Sequence, residues 1–132
     1  MTPTPAARRT ILLVDDEPDI LESFKAVVES ALPGVAVLTA PSGRDGLALL
    51  AQRRVDLVLS DFKMPGMDGI EFLVQAARVQ PGVPGAMYTA FGDDDLRRRA
   101  INEAGARAFI SKSLDLAALI ARVQALLDEA EG

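Results

Sequence analysis

An α/β fold, a doubly wound five-stranded parallel sheet with helices on both faces, is predicted by three features of this chain. Short apolar runs alternate five times with segments of helical periodicity, the pattern of repeated strand-then-helix units. Strands buried on both faces read as continuous apolar runs, as Ile11-Leu12-Leu13-Val14 does. The residues able to do chemistry, Asp15-Asp16-Glu17, Asp61, Thr89 and Lys112, each stand at the C-terminal end of such a run. Right-handed crossovers put all of those ends on one rim, where open parallel sheets collect ligands.

Each element has its own signal. Residues 11–14 form the first strand. From Pro18 to about residue 32, Ile20, Leu21, Phe24, Val27 and Val28 recur at helical spacing, and Pro18 falls in the first turn, where its missing N–H costs nothing. Pro33-Gly34 ends that helix, and residues 35–39 alternate into a second strand. Ser42 is placed to N-cap the next helix with Asp45 as its reciprocal acidic partner, and Leu47, Leu49 and Leu50 carry it to about Arg53. Residues 55–60 read as the third strand, and 69–79 as a helix burying Ile70, Leu73, Val74 and Ala77. After the Pro81-Gly82 break, residues 85–89 make a fourth strand, weakened by Gly85. Residues 93–104 are helical with Gly105 closing them, 108–111 are the fifth strand, and about 115–130 the last helix. No repeat, low-complexity tract or long linker intervenes, so residues 10–130 are read as one domain, between a flexible arm, 1–9, and a tail, 131–132.

At 132 residues and 14.0 kDa a single domain is expected. Surface scaling predicts about 6,700 Å² folded against about 20,000 Å² unfolded, enough burial for a core without staples. Neither cysteine nor histidine occurs, which excludes disulfides, thiolate or imidazole zinc sites and histidine acid–base catalysis. A metal here must be a hard cation held by oxygens. Fourteen basic residues against nineteen acidic ones give a net charge of −5, a poor basis for direct nucleic-acid binding. Residues 1–9 lack a signal-peptide core, and no apolar run approaches membrane-spanning length. The expectation is a soluble cytoplasmic protein with no membrane contact.

Three carboxylates gathered on one rim repel one another: at an effective dielectric near 20, two charges about 4 Å apart cost about 4 kcal/mol. A bound Mg²⁺ removes that cost, using a few carboxylates and a retained set of waters. A cation there also neutralises phosphoryl oxygens, so that a carboxylate can attack phosphorus. Thr89 and Lys112 supply a hydroxyl and an ammonium of the kind that donates to those oxygens.

The set Asp15-Asp16, Asp61-x-x-Met64-Pro65-Gly66-x-Asp68-Gly69, Thr89-Ala90 and Phe109-x-x-Lys112 resembles the receiver domain of two-component response regulators, over essentially residues 10–130. The likeness implies a flavodoxin-like, CheY-like sheet of strand order 2-1-3-4-5. It implies that Asp61 accepts a phosphoryl group from the phosphohistidine of a sensor histidine kinase or phosphotransfer protein. By the same likeness Asp16, Asp61 and the Lys63 backbone carbonyl bind Mg²⁺, and Asp15 holds a metal-bound water. Thr89 and Lys112 would contact the transferred group. Phe109 would be the switch aromatic, turning inward as Thr89 moves toward the phosphate. The face built from the fourth helix, fifth strand and fifth helix would then change its affinity for a downstream effector protein or domain, and homodimers could form on phosphorylation. The resemblance thus implies a signalling module rather than a turnover enzyme, one that catalyses its own phosphorylation and slow dephosphorylation.

The chain departs from that pattern at Ser113, where the family carries proline in a cis bond after the lysine. A cis bond without proline costs about 3 kcal/mol or more, so either that strain is kept or Lys112 approaches differently. Lys63 and Phe91, each two residues past a motif residue, are expected to flank the water path to an acyl phosphate and to lengthen its lifetime.

Plainer readings exist for several of these residues. Asp15-Asp16-Glu17 alone suits a solvated first helical turn, Phe109 a core strand position, and Tyr88 a core ring with its hydroxyl near the rim. Asp93-Asp94-Asp95 before Arg97-Arg98-Arg99 reads as a self-paired helical face, Asp94 with Arg98 and Asp95 with Arg99. With Asp61 and Lys112 expected on the same rim, the plain reading of the acidic cluster is outweighed. The alternative function is a Mg²⁺-dependent phosphatase with an aspartyl nucleophile on a related sheet. Its Asp-x-Asp follows the first strand, where this chain has Asp15-Asp16-Glu17. No Gly-x-Gly-x-x-Gly or Walker-type loop follows any strand, which argues against a nucleotide-binding module.

Overall fold

Apolar runs too short for helices pair as strands, and the amphipathic stretches between them close over both faces. The computed structural model describes residues 8–90 and 92–131. Five strands, β1 (Arg9–Val14), β2 (Val35–Ala40), β3 (Leu57–Ser60), β4 (Gly85–Thr89) and β5 (Phe109–Ser111), alternate with five helices, α1 (Pro18–Ala31), α2 (Gly43–Gln52), α3 (Gly69–Val79), α4 (Asp94–Ala104) and α5 (Leu116–Glu131). The strands are parallel in the order β2-β1-β3-β4-β5. This is the expected fold and topology.

Strand alternation divides the core in two. Ile11, Leu13, Leu57, Leu59 and Tyr88 face Phe24 and Val28 of α1 and Leu119, Val123 and Leu127 of α5. Leu12, Val14, Val58 and Met87 face Leu50 of α2, Ile70, Phe72 and Leu73 of α3, and Leu96 of α4. The inward face of α3 differs from the periodic expectation: Phe72 and Ala76 are buried, whereas Val74 is half-buried and Ala77 exposed. Phe72, the largest fully buried side chain among the described residues, takes the inner position because Gly46 of α2 leaves room. A Cβ on Gly46 would lie 2.9 Å from the Phe72 ring and 2.8 Å from Val14.

Several element ends also move. β1 begins at Arg9, inside the expected arm, with the Arg9 N–H donating to the Gly34 carbonyl at 3.0 Å; residues 1–7 lie outside the described residues. β3 starts at Leu57 rather than at 55. There the Asp56 carboxylate accepts from the Thr10 N–H at 2.7 Å, and Gln80 Oε1 accepts from the Val55 N–H at 3.1 Å. Side chains thus occupy the groups a longer ladder would have paired. Ser42 Oγ accepts from the Asp45 N–H at 3.1 Å, but the reciprocal bond from the Asp45 carboxylate does not form among the described residues. In α4, Arg99 pairs with Glu103 at 3.0 Å, and neither Asp94–Arg98 nor Asp95–Arg99 forms. The short aspartates stay at the helix N-terminus, where the macrodipole favours them. No described helix is long and apolar enough to cross a membrane.

Candidate functional site

Register builds the site. Val14 pairs with Ser60 across β1 and β3, so Asp15 and Asp61 leave neighbouring strands side by side. The Asp61 N–H donates to the Val14 carbonyl at 3.0 Å, and the Asp15 N–H to that of Ala40 at 3.1 Å. On the other side, Thr89 pairs with Ser111, and the Lys112 N–H donates to the Thr89 carbonyl at 3.0 Å. Lys112 therefore starts from the same rim.

Carboxylate oxygens of Asp15, Asp16 and Asp61 lie within 4.8 Å of one another. Asp15 is fully buried and Asp61 nearly so, while Asp16 is exposed and opens the cluster to solvent. Asp15 Oδ1 accepts from the Glu17 N–H at 3.0 Å, and Asp61 Oδ1 from the Phe62 N–H at 2.8 Å. Lys112 Nζ reaches into the cluster, donating to Asp61 Oδ2 at 2.8 Å and lying 2.6 Å from Asp15 Oδ2 and 3.6 Å from Glu17 Oε2. At 2.6 Å its contact with buried Asp15 Oδ2 is a close ion pair.

Burial pushes the Asp15 carboxyl above its ordinary value, and the Lys112 ammonium and Glu17 amide offset this only in part. Burial also works against the charge on Lys112, but Asp15 and Asp61 outweigh it and hold that ammonium above its usual range. Burial raises the Tyr88 hydroxyl as well; Tyr88 is a core residue, its ring against Phe24 and 6.0 Å from Lys112 Nζ. Lys112 thus faces three carboxylates, those of Asp15, Glu17 and Asp61, and Asp16 completes the acidic cluster. An oxygen-only donor set of three converging carboxylates fits a hard divalent cation.

The remaining expected residues sit around this centre. Thr89 is buried at the end of β4, and Lys63 is exposed in the loop between β3 and α3. Phe109 is half-buried on β5 with the Arg97 guanidinium 5.6 Å from its ring centroid. Phe91 lies outside the described residues. No cis peptide bond occurs among the described residues, so Lys112 approaches over a trans bond to Ser113. Ser111 shapes that turn, accepting from the Ser113 and Leu114 N–H groups at 3.1 and 3.2 Å.

Sequence reasoning placed Gly69 at the start of a helix and at the end of the Asp61 motif. A Cβ there would collide with the Asp61 carbonyl oxygen. The Gly69 N–H donates to the Phe62 carbonyl at 2.8 Å, and Ser60 Oγ donates to the Asp61 carbonyl at 2.8 Å. The backbone carrying Asp61 is held from both sides. A glycine at a helix start shows in sequence only as turn chemistry; the close approach needs the packed loop.

A sequence pattern described as the response regulator receiver domain matches residues 11–124. The transcriptional regulatory protein GlrR of Escherichia coli is 36% identical over 121 residues, 90% of this chain and 26% of that protein. The phosphate regulon regulator PhoB of Pseudomonas aeruginosa is 35% identical over 121 residues, 90% of this chain and 52% of its own length. The chain therefore spans about a quarter to a half of these curated relatives. Among solved structures, a CheY-like response regulator receiver domain protein from Methanospirillum hungatei superposes with a TM-score of 0.85 at 34% identity, covering 93% of this chain and 96% of that one.

Proposed function

Because the chain belongs to the response regulator receiver domain family, we propose that Asp61 accepts a phosphoryl group from the phosphohistidine of a sensor histidine kinase or phosphotransfer protein. The observation that carries this reading is the convergence of Asp15, Asp16 and Asp61 around Lys112 Nζ. Asp61 Oδ1 is anchored by the Phe62 amide, so the carboxylate presents Oδ2. That oxygen attacks phosphorus as the P–N bond breaks, and the bonding pair leaves with the imidazole nitrogen. Lys112, already at Oδ2, would donate to the transferred group's oxygens, and Thr89, buried at the end of β4, would donate beside it.

Asp16, Asp61 and the Lys63 carbonyl would hold Mg²⁺, with Asp15 acting through water. When bound, the ion supplies charge neutralisation for the carboxylates and the phosphoryl oxygens. Phe109 and Thr89 form the switch on this reading, and α4, β5 and α5 the face that a downstream effector protein or domain reads. The protein would act in the cytoplasm as a signalling module, with slow loss of the phosphoryl group to water and with dimerisation on phosphorylation as one route to output.

The test is intact-mass analysis after incubation with acetyl phosphate and MgCl₂. A single phosphoryl adduct should form, and it should vanish in Asp61→Asn or when EDTA replaces the magnesium. Continuous phosphate release with no adduct would instead identify an aspartyl-nucleophile phosphatase and sink the receiver reading.

A further inference from the structure

We propose that Met67 is a site of reversible oxidation, and that its sulfoxide slows phosphoryl transfer to Asp61. Among the described methionines, Met64 and Met87 are 7% and 0% exposed, whereas Met67 is half-buried and open in part to solvent. It lies in the loop between β3 and α3, packed on the core beneath α2 and α3. Its sulfur rests over Gly43, the first residue of α2. A Cβ there would lie 2.9 Å from Met67 Sδ and 3.4 Å from its Cβ and Cγ. Only a residue without a side chain lets the thioether come so close to the start of that helix.

Hydrogen peroxide oxidises a thioether without help from a metal or cofactor. A sulfur lone pair attacks one peroxide oxygen, and the O–O bond breaks. The leaving hydroxide takes the proton of the transferred hydroxyl and becomes water. Sulfur gives up two electrons and the peroxide accepts them. A flexible apolar side chain thereby becomes a polar one.

The first N–H groups of a helix have no intrahelical partners, so those of α2 attract the sulfoxide oxygen, a strong acceptor. The sulfur already stands closer than a Cβ at Gly43 would tolerate. An oxygen between it and α2 therefore drives Met67 outward and takes the loop with it. The next residue, Asp68, caps α3 by accepting from the Glu71 N–H at 2.9 Å. Gly69 follows, its N–H on the Phe62 carbonyl and its Cα tight against the Asp61 carbonyl. Displacement at Met67 is thus passed within two residues to the backbone that carries Asp61. The consequence at Asp61 rests on the receiver reading; the oxidation and the loop movement do not.

The test treats the full chain with graded hydrogen peroxide and maps single-oxygen additions by peptide mass. Met67 should be oxidised well before Met64 and Met87. With acetyl phosphate and MgCl₂, the oxidised chain should form its adduct about tenfold more slowly, within the roughly hundredfold that a misplacement of about 1 Å can cost. Methionine sulfoxide reductase should restore the rate. Hydrogen exchange at the Gly69 amide should quicken on oxidation, whether or not a phosphoryl donor is present. Met67→Leu keeps an apolar side chain of similar volume, so it should form the adduct at the wild-type rate and be indifferent to peroxide. Should that variant not fold by circular dichroism, loss and reductase rescue in the wild-type chain decide the matter. Oxidation of Met64 or Met87 ahead of Met67, an undiminished rate once Met67 is oxidised, or equal peroxide sensitivity in Met67→Leu would overturn the proposal. If the untreated chain forms no adduct, the receiver reading fails. Unchanged Gly69 exchange after oxidation would sink the present proposal independently of that result.

Discussion

Asp15 is fully enclosed, and its carboxyl is raised above the ordinary 3.8, chiefly by burial. A raised carboxyl means that the folded chain binds this proton more tightly than the unfolded one. Its contribution to stability is then fully present below pH 3.8 and is lost as pH rises through the folded value, so at neutral pH the ionised group opposes folding. Asn can keep the acceptor role toward the Glu17 amide, and Lys112 keeps Asp61 at 2.8 Å. Asp15→Asn should therefore raise the thermal midpoint of the metal-free protein at pH 7, with a stability gain of about 1 kcal/mol on the usual scale of stabilising substitutions. The gap to wild type should close below about pH 3.8. Calorimetry in EDTA across that range checks it, and a midpoint that falls at pH 7 would show that the Lys112 contact outweighs the burial. That the carboxylates share a rim was legible from strand-end spacing. That Lys112 sits between two of them was not, because it depends on β5 pairing with β4 in one register and on a serine turn beyond the lysine.

At the scale of elements, alternation of apolar runs and helical periods located all five strands and all five helices, since burial on both sheet faces leaves so little freedom in pattern. What the pattern missed were places where one side chain replaces a backbone partner, as Asp56 does at the start of β3. The free edge of β2 is another. Glu29 Oε2 accepts from the Val37 N–H at 2.8 Å, Lys25 Nζ donates to the Val37 carbonyl at 2.8 Å, and the two side chains meet at 2.9 Å. Two charges of α1 thereby close part of an edge that could otherwise pair with another chain. The Val37 amide and then Lys25 hold the Glu29 carboxyl below its ordinary 4.5. A lowered carboxyl contributes stability above pH 4.5 and loses it as pH falls through the folded value. Glu29→Ala should have a lower midpoint than wild type at pH 7, with the difference shrinking below pH 4.5, and it should exchange the Val37 amide faster. A difference that stays constant from neutral to acid pH would show that the clamp adds nothing through its charge.

Across the whole molecule, two apolar cores packed on opposite faces of one sheet hold together a rim that electrostatics alone would push apart. A hard cation there would relieve the repulsion among the carboxylates, and its binding should appear as stability. For a ligand that binds only the folded chain, the gain is about 2.7 kcal/mol at a hundredfold excess over Kd. For a domain of this size that corresponds to a midpoint shift of several degrees, since 1 kcal/mol moves Tm by about 2–8 °C. MgCl₂ should therefore raise the midpoint at pH 7 along a saturating curve, while NaCl of equal ionic strength should not. Asp16→Ala removes an exposed group, so it should start near the wild-type midpoint and lose the rise. Asp15→Asn should start higher and gain less, so that wild type closes on it as magnesium is added. On acidification the rise should fade first through Asp15, whose raised carboxyl takes up a proton before an ordinary aspartate would. A midpoint that climbs equally in all three proteins would mean that magnesium acts on the general surface, and that the convergence of Asp15, Asp16 and Asp61 is a feature of packing rather than a seat for a cation.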